Sequence, residues 1–296
     1  MKPERSRLLA VALLAACGGS RAPTPATPAP TPYAPAVSSP TAGPASHPPE
    51  AVRYRPSALR YVVHRQLHIE QALAGDQTQS QNIGARIFVV GAITGPADSV
   101  GYPATFAVDS IVADSGAPAP IADNMSKVRK LVFMGRVAPR GDFVNAVPSD
   151  SVLAQGAVQL LGNFRDFLPR LPNDGLRLGA AWTDTVETTQ KGSGSEVSRR
   201  AITQSTAAGW EDHLGAPSLR VVANQTFRVS GSGKNMGQPF ELSGAGTGSS
   251  VAYIAADGRY LGGESQDSTT LTVRLTVRGV AIPVIQLTRT TIAVLP

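Results

Sequence analysis

Strict alternation of apolar and polar residues in the second half of the chain constrains the fold more than any other feature. Five apolar residues between 219 and 229 fall in one phase: Leu219, Val221, Ala223, Phe227 and Val229. Residues 271–277 repeat this period of two. Because successive side chains of a strand point to opposite faces, such segments predict strands with one apolar and one polar face. That division is typical of an antiparallel sheet with one solvated side.

Further strand and turn signals extend this pattern along the chain. Residues 61–73 alternate in the same way, and 82–94 and 105–113 are additional strand candidates. The pair Asp257-Gly258 predicts a type I′ hairpin turn. Residues 231–235, with the sequence GSGKN, are typical of a hairpin connection.

One segment, residues 152–168, departs from the period of two. Its apolar residues recur at intervals that trace one face of a helix: Leu153, Ala157, Leu160, Leu161, Phe164 and Leu168. Asp150 and Ser151 suit the beginning of a helix, and Pro169 ends it. We therefore expect one α+β, mostly β domain over 51–296, with roughly four strands, a helix and about seven strands. Its curved antiparallel sheet would wrap round this one main helix.

The N-terminus carries the features of an export signal. A basic segment, 2–7, precedes nine apolar residues, 8–16, a run too short to span a bilayer, which needs roughly 20 residues. Such a run is typical of a secretory signal peptide. It ends in Leu14-Ala15-Ala16-Cys17, which resembles the lipobox of bacterial lipoproteins. An ordinary signal peptide with a chance cysteine is the alternative.

The lipobox resemblance implies a processing route and a location. In that family the signal peptide, here 1–16, is removed and the cysteine, here Cys17, is acylated. Several acyl chains on one residue give stable anchoring. Gly18, rather than Asp, after the cysteine implies the outer membrane, with the protein facing the periplasm.

A proline-rich segment follows the cysteine and predicts a lipid-anchored, disordered tether over 17–50. Residues 21–50 hold ten prolines among Ala, Thr and Ser, with almost no large apolar residues to form a core. Proline favours extended polyproline II, so thirty residues could reach roughly 90 Å. A docking motif for an aromatic groove is the alternative interpretation.

The segment after the predicted helix suggests a family. Phe167 to Pro172, with the sequence FLPRLP, precedes Gly175, Leu178-Gly179 and Trp182. This sequence motif resembles a motif that recurs in uncharacterised bacterial lipoproteins. The strand layout of residues 55–295 also resembles LolA- and LppX-type lipoproteins, whose half-barrel sheet wraps round helices and encloses an apolar cavity for acyl chains. The resemblance implies a protein that handles a lipid or another apolar ligand.

Five side chains are candidates to line such a cavity, with plain core packing as the alternative for each. They are Leu153, Leu160, Phe164, Leu168 and Trp182. No cofactor is implied.

The sequence gives only weak signals for sites that bind metals, phosphates or nucleic acids. His64 and His68 lie on a predicted strand, where four residues separate them by roughly 13 Å, too far for one zinc ion. Residues 231–234, GSGK, lack the earlier glycine of a phosphate loop, because position 228 is Arg. The formal charge of +6 is scattered without Lys/Arg runs, unlike the clustered charge of nucleic-acid-binding proteins.

The sequence therefore favours a membrane-anchored, non-catalytic envelope lipoprotein that binds a lipid or apolar ligand or supports envelope assembly. A protein-interaction domain without a small ligand is one alternative. The other is a hydrolase whose residues meet only in three dimensions, with His213 beside a hydroxyl and a carboxylate as the arrangement to look for. No Gly-x-Ser-x-Gly elbow is present.

Overall fold

The computed structural model describes residues 49–72, 77–115, 125, 128–154, 164, 167–192, 194–235, 237–277 and 279–296. The predicted signal peptide and most of the predicted tether lie outside these ranges. The chain forms eleven strands: β1 Ser57–Ala72, β2 Thr78–Ile93, β3 Tyr102–Ala113, β4 Val132–Val137, β5 Phe143–Pro148, β6 Ala181–Gly192, β7 Ser195–His213, β8 Ala216–Asn235, β9 Gln238–Ala255, β10 Tyr260–Leu275 and β11 Val280–Leu295.

All eleven strands belong to one antiparallel sheet. Its order is β5-β4-β3-β2-β1-β11-β10-β9-β8-β7-β6, so every two strands consecutive in sequence pair with each other except β5 and β6. The last strand returns to pair with the first, with Tyr61 opposite Val294 and Gln71 opposite Val284. The sheet is open, because β5 and β6 are its two edges and no ladder joins their described residues. The prediction of a mostly β, antiparallel domain is confirmed.

The strand count and the helix differ from the expectation. Five strands precede the central connection and six follow it, whereas roughly four and about seven were expected. The β4 and β5 strands are only six residues long and carry weak alternation, which accounts for the difference. Ser151–Ala154 form a helical turn, in which the backbone N–H groups of Val152 and Leu153 donate hydrogen bonds to the Asp150 carboxylate. The centre of the predicted helix, 155–163, lies outside the described residues. A sheet wrapped round one main helix is therefore not supported.

One predicted turn, at Asp257-Gly258, is present with a different type, and another, at 231–235, is absent; the backbone explains both. At 255–259 only Gly258 has a positive φ, +88°, so the turn is not type I′. Gly258 donates to Ala255, which matches a type I turn followed by a glycine bulge. The two-residue turn with both φ values positive lies instead at Leu214-Gly215, between β7 and β8.

Residues 231–235 were predicted as a turn but continue β8. A Cβ at Gly231 would lie 2.7 Å from the carbonyl oxygen of Glu196, and one at Gly233 equally close to that of Gly194. These glycines therefore permit close approach of β7 rather than a reversal of the chain.

The alternating pattern divides the sheet into a buried face and an outer face. Leu219, Val221, Ala223 and Phe227 share the buried face of β8 as predicted, and all four are buried. Among the described residues, no helix has both the length and the apolar character needed to cross a membrane.

Candidate functional site

One end of the buried face is occupied by a cluster of aromatic rings. The Phe106 ring lies 4.9 Å from Phe143, 5.8 Å from Phe164 and 5.1 Å from Phe167, measured between centroids. Tyr61 meets Phe167 edge-on at 5.1 Å, and its hydroxyl donates to the Tyr260 carbonyl oxygen at 3.0 Å. Burial raises the pKa of the Tyr61 hydroxyl. Strands from both halves of the chain therefore share this aromatic zone.

The segment between β5 and β6 is fastened to the aromatic zone by polar contacts. The Tyr54 hydroxyl donates to the Pro169 carbonyl at 2.6 Å, and the Trp182 indole donates to the Arg170 carbonyl at 3.2 Å. Arg170 also pairs with Asp142 at 2.6 Å. These bonds fix the FLPRLP phrase against the β4–β5 turn and β6.

The residues predicted to line a cavity gather at this aromatic zone. Phe164 and Leu168 are buried within it, and Leu153 and Trp182 are partly buried against it. Leu160 and the predicted anchor, Cys17, lie outside the described residues.

A charged contact joins distant parts of the sheet near this zone. The turn between β4 and β5 carries Arg140, which donates from Nη2 to Asp184 Oδ1 on the edge strand β6. Its Nε also donates to the Leu171 carbonyl oxygen at 3.1 Å. Asp184 is buried, whereas the Arg140 side chain is one-third exposed.

A second apolar zone occupies the other end of the buried face, on β9 to β11. Its buried members are Phe240, Leu242, Leu271, Val273, Leu275, Ile282 and Val284. Ile69 of β1 and Val197 of β7 pack against it. The sheet therefore presents two apolar zones on the same face.

A polar band of two residue rows separates the two apolar zones. The first row crosses six strands from β7 to β1 through Thr203, Gln225, Gly248, Asp267, Thr288 and Leu67. The second row is adjacent and contains Ser205, Ala223, Ser250, Ser265, Thr290 and Arg65. Small and polar side chains predominate in both rows, so polar groups are available in the middle of an otherwise apolar face.

Three charged side chains form what we term the Arg65 cluster: Arg65, Asp267 and Arg199. Loss of water on burial lowers the pKa of Arg65, and the charge of Asp267 opposes this effect. Burial likewise raises the pKa of Asp267, against the influence of Arg199 and then Arg65. Asp267 lies over Gly248, where a Cβ would collide with its carboxylate.

Hydrogen bonds and a ring contact hold Arg199 in place. Its guanidinium carbon lies 4.1 Å from the Phe227 ring centroid, a cation–π arrangement. Arg199 donates to the Gln225 side chain at 2.5 Å, and Gln225 donates to Thr203 at 2.8 Å. This network orients one guanidinium at the edge of the polar band.

The Arg65 cluster was not predicted from the sequence, although part of its signal is present there. Arg65 falls in phase with Tyr61, Val63 and Leu67, so a charge interrupts the apolar phase of β1. The sequence did not indicate that Asp267 and Arg199 contribute, because their strands are connected to β1 only by pairing between residues distant in sequence.

The histidines considered in the sequence lie elsewhere. His64 and His68 are on the outer face, where His64 bonds Asp114 at 2.8 Å and His68 bonds Glu70 at 3.0 Å. His213 stacks on the Tyr253 ring at 3.8 Å. The described part of the chain contains no group of three or more His, Cys, Asp or Glu residues arranged for a metal.

No protein-family model and no curated protein matches this chain.

Proposed function

We propose that this protein is a non-catalytic lipoprotein, anchored through acylated Cys17, that binds a lipid or another apolar ligand on the buried face of its sheet. The anchor and its placement on the periplasmic side of the outer membrane follow from the lipobox resemblance. The proline-rich tether, 17–50, would hold the domain away from the membrane surface.

The observation that carries the proposal is the contact between Arg140 and Asp184. Nine inter-strand spacings lie between β4 and β6 in the sheet order. At about 4.8 Å each, a flat sheet would separate these strands far beyond the reach of an arginine side chain. The contact supports a strongly curved, half-barrel-like sheet whose buried face is concave.

The composition of the buried face supports an apolar ligand. Four predicted lining residues lie at the aromatic zone: Phe164, Leu168, Leu153 and Trp182. The polar band separates this zone from the second apolar zone on the same face of the sheet. Ligand sites of this kind are mainly apolar and contain a few placed polar groups.

A second candidate function, recognition of a protein strand, is favoured by the outer edge of β6, which pairs with no other strand among the described residues. This strand is twelve residues long and lies at the end of the sheet. Its exposed side chains include Thr183, Thr185, Glu187 and Thr189. Unpaired backbone groups at such an edge can accept an added strand, although an apolar edge would suit this function better.

Anchoring is tested by labelling cells with radioactive palmitate and isolating the full-length protein. We expect label and membrane association in the natural chain, loss of label in Cys17→Ser, and full label in the matched control Ser20→Ala. Labelled Cys17→Ser protein would reject the proposed anchor.

Ligand binding is tested separately with the processed chain 17–296 carrying Cys17→Ser. It is purified without detergent, extracted with organic solvent and analysed by mass spectrometry. A stoichiometric lipid or other apolar molecule supports the proposal. An empty, folded protein that also fails to bind added lipids would reject it in favour of strand recognition.

A further inference from the structure

A cavity of about 430 Å³ lies on the outer face of the sheet. Its polar side chains come from three adjacent strands, β8, β9 and β10: Ser230, Ser232, Glu241, Ser243, Thr272 and Arg274. On β9 and β10 they alternate with Leu242 and Val273, which are buried in the second apolar zone, so they point to the opposite face. The volume falls within the roughly 300–1,000 Å³ of small-molecule sites.

The strand register arranges the six polar side chains of this cavity in two rows. The first row contains Ser232, Glu241 and Arg274. The second row, two residues away along each strand, contains Ser230, Ser243 and Thr272. With strands about 4.8 Å apart and about 3.4 Å per residue, the six positions cover roughly 10 by 7 Å. One small molecule can therefore contact both rows.

Glu241 and Arg274 stand directly opposite each other on β9 and β10. Opposite charges at such positions commonly interact. In the part of the chain that the structure describes, however, neither residue takes part in an ion pair within 4.0 Å or in a side-chain hydrogen bond. The cavity therefore contains one guanidinium and one carboxylate that are both available to a ligand.

Four hydroxyl groups complete the polar lining, on Ser230, Ser232, Ser243 and Thr272. None of these hydroxyls forms a side-chain hydrogen bond to another described residue, unlike the hydroxyls of Ser198 and Thr203 on the neighbouring strand β7. Each hydroxyl supplies one donor and two acceptor positions. The cavity can therefore bind several hydroxyl groups of a ligand at once.

We propose that this cavity binds a small polyhydroxylated zwitterion, a molecule that carries a carboxylate, an ammonium group and several hydroxyls. Arg274 binds the carboxylate through paired N–H groups, and Glu241 accepts hydrogen bonds from the ammonium group. The serine and threonine side chains bind the hydroxyls. A zwitterion compensates both charges of the cavity, whereas a simple anion would leave Glu241 uncompensated and a simple cation would leave Arg274 uncompensated.

The test compares four polyhydroxylated probes on the full chain carrying Cys17→Ser, with binding followed by isothermal titration calorimetry. Glucosaminic acid is zwitterionic at neutral pH, gluconate lacks the ammonium group, glucosamine lacks the carboxylate and sorbitol lacks both. We expect glucosaminic acid to bind at least about tenfold more tightly than each of the other three, the range of one hydrogen bond to a charged group.

Substitutions identify the two charged residues responsible. Arg274→Gln should abolish the preference for glucosaminic acid over glucosamine, and Glu241→Gln should abolish the preference over gluconate. The matched controls are Arg289→Gln and Glu264→Gln, exposed positions of the outer face on β11 and β10 that do not line the cavity. Both controls should leave the preferences unchanged, and circular dichroism checks that each variant is folded.

Three outcomes would overturn the zwitterion site. They are equal binding of all four probes, absence of glucosaminic acid binding to the folded chain, and a preference that survives both Arg274→Gln and Glu241→Gln. Tight binding of gluconate that depends on Arg274 would replace the zwitterion with a simple anion. Because the cavity and the apolar zones lie on opposite faces, lipid binding should be the same in both variants, and the apolar-ligand function stands or falls separately.

Discussion

Arg140, in the turn between β4 and β5, donates from its guanidinium to the buried carboxylate of Asp184 on β6, the strand at the far edge of the sheet. This contact fastens two parts of the chain that the backbone ladders leave unconnected. It lies beside the FLPRLP phrase, whose Leu171 carbonyl accepts a second hydrogen bond from Arg140. The free energy of unfolding should therefore depend on it.

We expect Arg140→Ala to lower the free energy of unfolding by about 3 kcal/mol, because it leaves a buried carboxylate without its countercharge. Urea denaturation of the full chain measures the loss. The control is Arg177→Ala, which removes an exposed pair with Glu50 at 2.7 Å and should cost less than about 1 kcal/mol. Similar small losses in both variants would contradict a structural role for the Arg140–Asp184 contact.

The aromatic zone should be the most sensitive part of the core. Phe106 is 2% exposed and contacts three other phenylalanine rings. Phe106→Ala should cost about 3–5 kcal/mol through lost burial and the cavity left behind. Val112→Ala, on the same strand but 53% exposed, should change the value by less than about 0.5 kcal/mol. Thermal and urea unfolding together check both, and equal effects would refute the assignment of the buried face.

Leu214 occupies a backbone conformation that its side chain disfavours. It has a φ of +54° in the turn between β7 and β8, and its side chain is exposed. Asparagine tolerates this conformation better, so Leu214→Asn should raise the free energy of unfolding by about 1 kcal/mol. Val277→Asn, at an exposed position without a positive φ, provides the control. A destabilised Leu214→Asn variant would show that the leucine side chain makes a contribution larger than the strain.

Asp98 should titrate in acid. The Arg136 side chain, bonded at 2.7 Å, and the backbone N–H groups of Gly101 and Val100 lower the pKa of this carboxyl from 3.8 to about 2. Because the folded pKa is the lower one, the stabilisation is present above pH 3.8 and is lost as the pH falls through about 2.

An NMR titration of the Asp98 carboxyl carbon measures this value. Arg136→Gln should raise the pKa towards 3.8 without reaching it, because the two backbone donors remain. Arg60→Gln, remote from Asp98 and 3.9 Å from Asp109, should leave the Asp98 pKa unchanged. An unchanged pKa in Arg136→Gln would assign the shift to the backbone groups instead.

Local sequence predicted the strands and their faces well where alternation is long. The predicted apolar phase of β8 became its buried face. The prediction failed where one residue type is compatible with two local backbone structures. Gly231 and Gly233 resemble turn residues, yet the structure uses them for close strand approach, and Leu214 carries no turn signal although it lies in the two-residue turn.

What the sequence by itself determined is therefore the period of two, and with it the division of each strand into an apolar and a polar phase. Only the tertiary structure decided that Arg65 and Asp267 share one polar band, with Arg199 at its edge, and that Arg140 reaches Asp184. The physical reason is that alternation assigns a side chain to a face of its own strand. Which residues become neighbours across that face depends on the order and register of pairing among strands distant in sequence.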